Sequence, residues 1–205
     1  MKIVGVYNPP LYVTLGGLFF ALSACIFSFN HRFELAVICF ILSGICDLFD
    51  GVIARKTRRT EEEKAFGLYI DSTVDMASFG LTPVIILLHS GFNGAVDYFF
   101  FFFYCSCASI RLAWFNLLQH KNEETPDYYT GLPVTFSALV LPLVFTVGLL
   151  LEGGAFKLLV RLSIVVLGFL FILKIPIKKP GGIFYIIFPL VAAVLIFFWL
   201  LRALH

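Results

Sequence analysis

Four aspartates stand where a chain this apolar has least use for them. Asp47, Asp50, Asp71 and Asp75 fall inside or at the ends of long hydrophobic stretches. An ionised aspartate at bilayer depth costs roughly 2.5–3.5 kcal/mol on insertion scales, so four without a purpose would be heavily penalised. Their spacing suggests one. Asp47 and Asp50 are three positions apart, Asp71 and Asp75 four, so on helices each pair shares a face. Four converging carboxylates repel one another unless a cation intervenes. Oxygen-only donors select hard ions: magnesium, manganese or calcium. Four carboxylates suit two such ions bridged by shared ligands, an arrangement used in phosphoryl chemistry. Salt bridges to Arg55, Arg111 or Lys64 would neutralise one or two acids but would hardly require four on matched faces.

The elements that must position these acids follow from composition. Of 205 residues, 60% are hydrophobic and only 14% charged, against about 25% charged in an average soluble domain. The expected fold is an all-α polytopic membrane protein, one domain over residues 1–205. It would be a bundle of six to seven transmembrane helices with an N-terminal interfacial segment over 1–12, where Pro9 and Pro10 sit. Seven apolar runs are visible, near 13–29, 33–54, 66–89, 95–118, 132–151, 155–173 and 183–203. About 20 residues cross the hydrocarbon core as a helix, and the first and sixth runs are short by that measure. A β-barrel would alternate polar and apolar residues, which these runs do not. The polar start lacks a clear small-residue cleavage site, so no cleaved signal is expected. A net charge of +2 gives no nucleic-acid footprint. The five cysteines lie in apolar runs without zinc-ligand spacing and read as packed thiols. The histidines sit at run ends and read as interfacial, and the run Phe99 to Phe103 reads as lipid-facing.

The basic residues set the orientation. Arg55, Lys56, Arg58, Arg59 and Lys64 crowd one connection; Lys121 lies in a second, and Lys174, Lys178 and Lys179 in a third. Alternating helices put all three on one side, the cytoplasmic one, with the N-terminus and the acids. Seven crossings then leave the C-terminus outside. Residues 33–90 form the helix pair that carries the acids. Its short charged connection implies antiparallel packing, and Thr60 with Glu63 makes a capping-box pattern that starts the second helix near 61. Gly51, Ala54 and Gly67 are small residues beside the acids, suited to close approach of a backbone or ligand. Arg55 closes its helix at the interface, placed to contact a pyrophosphate.

Written out, these positions are Asp47-x-x-Asp50-Gly51-x-x-Ala54-Arg55 and Gly67-x-x-x-Asp71-x-x-x-Asp75. The string resembles the defining motif of the CDP-alcohol phosphotransferase family, with all eight residues in order. One departure is visible: eleven residues separate Arg55 from Gly67, where the family commonly has about eight, and the excess falls in a polar stretch. Ser78-Phe79-Gly80-x-x-Pro83, the segment Arg111 to Asn116, and Tyr129-Thr130-Gly131-Leu132-Pro133 are similar to the phosphatidylserine synthase branch. Thr14-Leu15 also fits, with the asparagine usually found upstream displaced to Asn8 or lost.

The resemblance implies a CDP-diacylglycerol donor, or an ether-lipid analogue, and L-serine as acceptor, with CMP released. It implies two divalent cations, Mg2+ or Mn2+ with Ca2+ a further possible occupant, held by Asp47, Asp50, Asp71 and Asp75. Asp75 would be the base, and Thr14, Gly51, Ala54, Arg55 and Gly67 would bind the nucleotide-bearing donor. Arg111 would meet the serine carboxylate; an interfacial anchor is the other role open to it. A homodimer in the cell membrane, active site facing the cytoplasm, is the implied assembly. Inositol phosphate or glycerol phosphate acceptors would call for more arginines than lie outside positions 55–59. A cation transporter would place its acids near the midplane, between repeats, and no convincing internal repeat is present.

Overall fold

Backbone in lipid must satisfy its own hydrogen bonds, so apolar runs become helices and their ends need caps. In the computed structural model, which describes residues 4–121, 128–152, 154–178 and 184–204, both requirements are met. Met1 to Ile3 of the interfacial segment, Lys179 and His205 lie outside these residues. Helix α1 (Pro9–Phe29) starts on Asn8, whose side chain accepts from the Leu11 N–H at 3.2 Å, with two prolines in the first turn where a missing N–H is harmless. Of the lead-in's described residues, Val4 to Asn8 are non-helical and the helix takes over at Pro9. Helix α2 (Phe33–Lys56) ends at Thr57. Helix α3 (Glu61–Asp75) opens with the expected capping box: the Glu63 N–H donates to Thr60 Oγ1 at 3.2 Å and the Thr60 N–H to Glu63 Oε2 at 2.7 Å.

After Asp75 the chain makes a wide π turn, Met76–Leu81, before α4 (Thr82–His89); the whole stretch Glu61–His89 is one 29-residue span. A π turn loosens backbone carbonyls from the helical ladder. Here three carbonyls of the stretch accept from side chains. Tyr104 Oη donates to the Phe79 carbonyl at 2.7 Å, Cys105 Sγ to that of Gly80 at 3.4 Å, and Thr82 Oγ1 to that of Ala77 at 3.0 Å. Tyr104 and Cys105 belong to α5 (Ala95–Lys121).

Strand β1 (Tyr128–Thr130) then pairs antiparallel with β2 (Pro176–Lys178). The chain crosses back through a tight 3-10 turn, Val134–Phe136, and α6 (Ser137–Gly148), returns along α7 (Gly154–Ile172), and ends in α8 (Phe184–Leu204). Gly131 makes the entry possible. Its φ is +81°, and a Cβ there would lie 2.6 Å from the Phe171 carbonyl oxygen. Only glycine fits a backbone that close to another backbone.

Among the described residues six helical spans are long and apolar enough to cross a membrane, and a further apolar helix, Val134–Gly148, is shorter. The short member is thus the fifth run, not the first or sixth as their lengths suggested. The extended Leu132-Pro133 entry and the end at Gly148 trim it from both sides. Aromatic contacts mark the pole remote from the β-ribbon: Phe33 meets Phe145 and Trp199 edge-on, and Phe92 meets Phe156. Successive helices therefore alternate in direction. Phe19, Phe102 and Ile186 are more than half exposed, an apolar surface that only lipid makes inexpensive. Inside, Phe40, Phe79, Tyr104, Ile86, Leu141 and Phe171 are fully buried. The phenylalanine run divides accordingly. Phe99 and Phe102 face outward, but Phe101 is buried and Phe103 packs on Gly168 and Phe169. A helix turning 100° per residue cannot keep five consecutive side chains on one face. The cysteines are free, with Cys39 and Cys107 buried.

One acid in an apolar run escaped the sequence reading. Asp97, in the first turn of α5 and 2% exposed, is gripped by Arg161 of α7 through two bonds, Nε to Oδ1 at 2.7 Å and Nη2 to Oδ2 at 3.1 Å. It also accepts the Gly94 N–H at 3.1 Å. This pair lies at the pole away from the four aspartates and staples α5 to α7.

Candidate active site

The last turns of α2 and the body of α3 bring the four aspartates to one place. Donor oxygens of Asp47, Asp71 and Asp75 all lie within 4.8 Å of one another. Asp50 stands beside them, within hydrogen-bond reach of Asp71, and its Oδ2 accepts from Thr14 Oγ1 of α1 at 2.9 Å. Asp47 is within reach of both Asp75 and Thr135, the latter from the 3-10 turn that leads into α6. The Lys64–Glu61 and Arg161–Asp97 ion pairs involve none of the four. Carboxylate oxygens this close repel one another unless a cation or a proton lies between them. Three oxygen donors around one point fit a hard divalent ion.

Helices α2 and α3 run antiparallel, but they pack less on each other than each packs on α1. The gap between them opens into two cavities with the acids at their junction. The larger, about 610 Å³, is lined by Thr14, Asp50, Gly51, Ala54, Gly67 and Asp71, together with Asn8 and Arg59. Four of the five residues expected to hold a nucleotide-bearing donor, Thr14, Gly51, Ala54 and Gly67, therefore share one wall. Asn8 joins them while capping α1. The smaller cavity, about 180 Å³, is lined by Asp47, Asp50, Asp71, Asp75, Arg55 and Arg111, with Thr135 and Tyr185. The fifth donor residue, Arg55, lies here. Its Nη2 donates to Tyr185 Oη of α8 at 2.9 Å, and its guanidinium sits 5.8 Å from that ring's centre.

Arg111 is 6% exposed and stacks 5.3 Å from the centre of the Phe115 ring. It lines the same cavity as Asp75. Three neighbours carried no sequence signal. Ser72 Oγ donates to Asn116 Oδ1 at 2.9 Å, tying α3 to α5 beside Asp71. Thr135 adjoins the quoted Gly-Leu-Pro segment but has no distinctive spacing of its own. Tyr185 comes from a stretch that reads as merely hydrophobic. His120 lines the larger cavity, whereas His31 and His89 lie at the far pole.

A family model described as CDP-alcohol phosphatidyltransferase matches residues 7–172. The chain belongs to that family. The match takes in α1 to α7 and stops before α8, so Tyr185 lies outside it. Among curated members, the chain is 29% identical over 180 residues to a CDP-diacylglycerol–serine O-phosphatidyltransferase of Helicobacter pylori, covering 85% of this chain and 73% of the relative. It is 35% identical over 126 residues to the protein of that name from Saccharomyces cerevisiae, covering 57% and 45%. An archaetidylserine synthase of Methanothermobacter thermautotrophicus is 28% identical over 145 residues, covering 68% and 58%. The chain thus spans about half the length of the yeast relative it matches. The family resemblance read from the aspartate motif and the membrane character of the chain both stand.

Proposed function

We propose that this protein transfers the phosphatidyl-type group of CDP-diacylglycerol, or of an ether-lipid analogue, to L-serine, giving a phosphatidylserine-type lipid and CMP. The observation that carries the reading is the placement of the acids between two cavities. One is large and walled by small residues, sized for a nucleotide; the other is small and holds a buried arginine. Relatives named for serine transfer support the same acceptor.

In this reading the cytidine diphosphate portion lies against Gly51, Ala54 and Gly67, where the absence of larger side chains allows close approach. The lipid-bearing phosphate reaches the junction of the cavities. Serine enters the smaller cavity, its carboxylate on Arg111 in a bidentate contact. Asp75, on the wall of that same cavity, takes the hydroxyl proton as the serine oxygen attacks the lipid-bearing phosphorus. The phosphorus–oxygen bond to CMP then breaks. Asp47, Asp50, Asp71 and Asp75 are the residues that would hold magnesium or manganese, which when bound neutralises pyrophosphate charge. Thr14 and Thr135 orient Asp50 and Asp47 by hydrogen bonds. The basic connections favour a cytoplasmic position for this pole, where serine and CDP-lipid headgroups are both accessible, and the family resemblance suggests a homodimer.

The test is CMP release from CDP-diacylglycerol with serine, glycerol phosphate, inositol phosphate or inositol as acceptor. Serine should support turnover, exhaustive chelation should abolish it, and manganese or magnesium should restore it. Turnover with glycerol phosphate but not serine would move the chain to another branch. Full activity without detectable metal would overturn the role given to the acids.

A further inference from the structure

The connection between α2 and α3 is longer than the motif's usual spacing, and the structure shows where its charge goes. Thr57 ends α2 and Thr60 caps α3, leaving Arg58 and Arg59 between them. Arg58 is exposed, whereas Arg59 folds back, half-buried, onto the wall of the larger cavity. Its Nη1 lies 3.2 Å from where a side chain on Gly67 would begin, so Gly67 leaves the room that the guanidinium occupies. Its Nε is buried and makes no hydrogen bond among the described residues. Asp71 is close enough for the two charges to interact, but they form no ion pair.

Burying a guanidinium N–H without a partner is costly unless something completes it. The other cations nearby do not compete for that task. Lys64 is held by Glu61 at 2.7 Å, and Arg55 is turned into the smaller cavity by Tyr185. The group that would complete Arg59 must be anionic, must fit beside small residues, and must lie within reach of Asp71. A nucleotide phosphate meets all three conditions, and the fork of an arginine matches phosphate oxygens.

We propose that Arg59 is a donor-binding residue that clamps a phosphate of the cytidine diphosphate group in the larger cavity, the task Arg55 is turned away from. This rests on reading that cavity as the nucleotide site, and it is independent of which alcohol is the acceptor.

The test compares Arg59→Gln, Arg59→Lys and the neighbouring control Arg58→Gln, each as the full chain in detergent. Calorimetry measures binding of CDP in the presence of manganese, and kinetics measure the KM values for CDP-diacylglycerol and serine. Arg59→Gln should weaken CDP about tenfold and raise the donor KM in parallel, with the serine KM unchanged. Arg59→Lys should recover part of the loss, because charge returns without the fork. Arg58→Gln should stay within about twofold of wild type. Equal CDP affinity in wild type and Arg59→Gln would overturn the assignment while leaving the nucleotide reading intact. A wild-type protein that binds no CDP would overturn both. A loss in Arg59→Gln that Arg59→Lys does not relieve, accompanied by a lowered melting temperature, would make Arg59 a support of the connection and not a ligand of phosphate.

Discussion

Gly44 is one helical turn before Asp47, on the face of α2 that meets α6. A Cβ at this position would lie 2.6 Å from the Cβ of Ala138, where ordinary contact begins at 3.4 Å. Gly44→Ala must therefore drive α6 and α2 apart by about 1 Å, because neither methyl can rotate away. Ala138 is itself one turn beyond Thr135, the residue within hydrogen-bond reach of Asp47. The wedge thus acts directly on the joint between α6 and the acid cluster. A misplacement of about 1 Å costs on the order of 100-fold in rate when it reaches reacting groups. Overpacking of this kind destabilises by about 1–3 kcal/mol. The expectation is that Gly44→Ala lowers kcat/KM for CMP release about 100-fold and lowers the melting temperature in detergent by several degrees. Adding Ala138→Gly removes the opposing methyl and should restore most of both, the double variant recovering to within about fivefold of wild type. Near-normal activity in Gly44→Ala would refute the reasoning, as would a double variant no better than the single one.

Five other substitutions examine three separate parts of the site and its scaffold. Asp47→Ala and Asp71→Ala should weaken manganese binding in calorimetry as well as turnover, whereas Asp75→Asn should lower kcat by 100-fold or more with a smaller effect on donor KM; near-normal turnover in Asp75→Asn would assign the base elsewhere. Arg111→Lys should raise the serine KM about tenfold with the donor KM little changed, since an ammonium cannot reproduce a bidentate contact; unchanged serine kinetics would remove Arg111 from the acceptor site. Asp97→Asn breaks the two-point grip of Arg161 at the far pole. It should lower the melting temperature, by less than for a fully buried pair because Arg161 keeps a third of its side chain exposed. Its KM values should stay at wild type, and an altered donor or serine KM would show that the two poles are coupled.

What the sequence disclosed was local. The aspartates announce themselves because each pair repeats at helical spacing within a few residues, and the capping box of α3 is complete within four. What it hid was distant or irregular. Arg55 and Tyr185 are 130 positions apart, so nothing near Arg55 indicates which cavity it enters. Arg161 and Asp97 are 64 apart, and an acid in a helix's first turn invites the simpler explanation of a favourable dipole. The shortness of α6 is invisible in hydropathy, because an extended Leu132-Pro133 is as apolar as a helical one. The splayed packing of α2 and α3 follows from contacts each makes with α1, which no feature of the acid-bearing pair encodes.

The wide turn after Asp75 has a consequence for how the protein is made. As an isolated segment, the third span would enter the bilayer with two aspartates and without the side-chain donors to the Phe79 and Gly80 carbonyls, each a penalty in hydrocarbon. The side chains that satisfy those carbonyls, Tyr104 and Cys105, arrive only with α5. The third and fourth spans are also the two least apolar of the six long ones. Biogenesis should therefore treat them as one unit: the nascent third helix waits in a sheltered position beside the translocation machinery, and the two are released into lipid together as a hairpin.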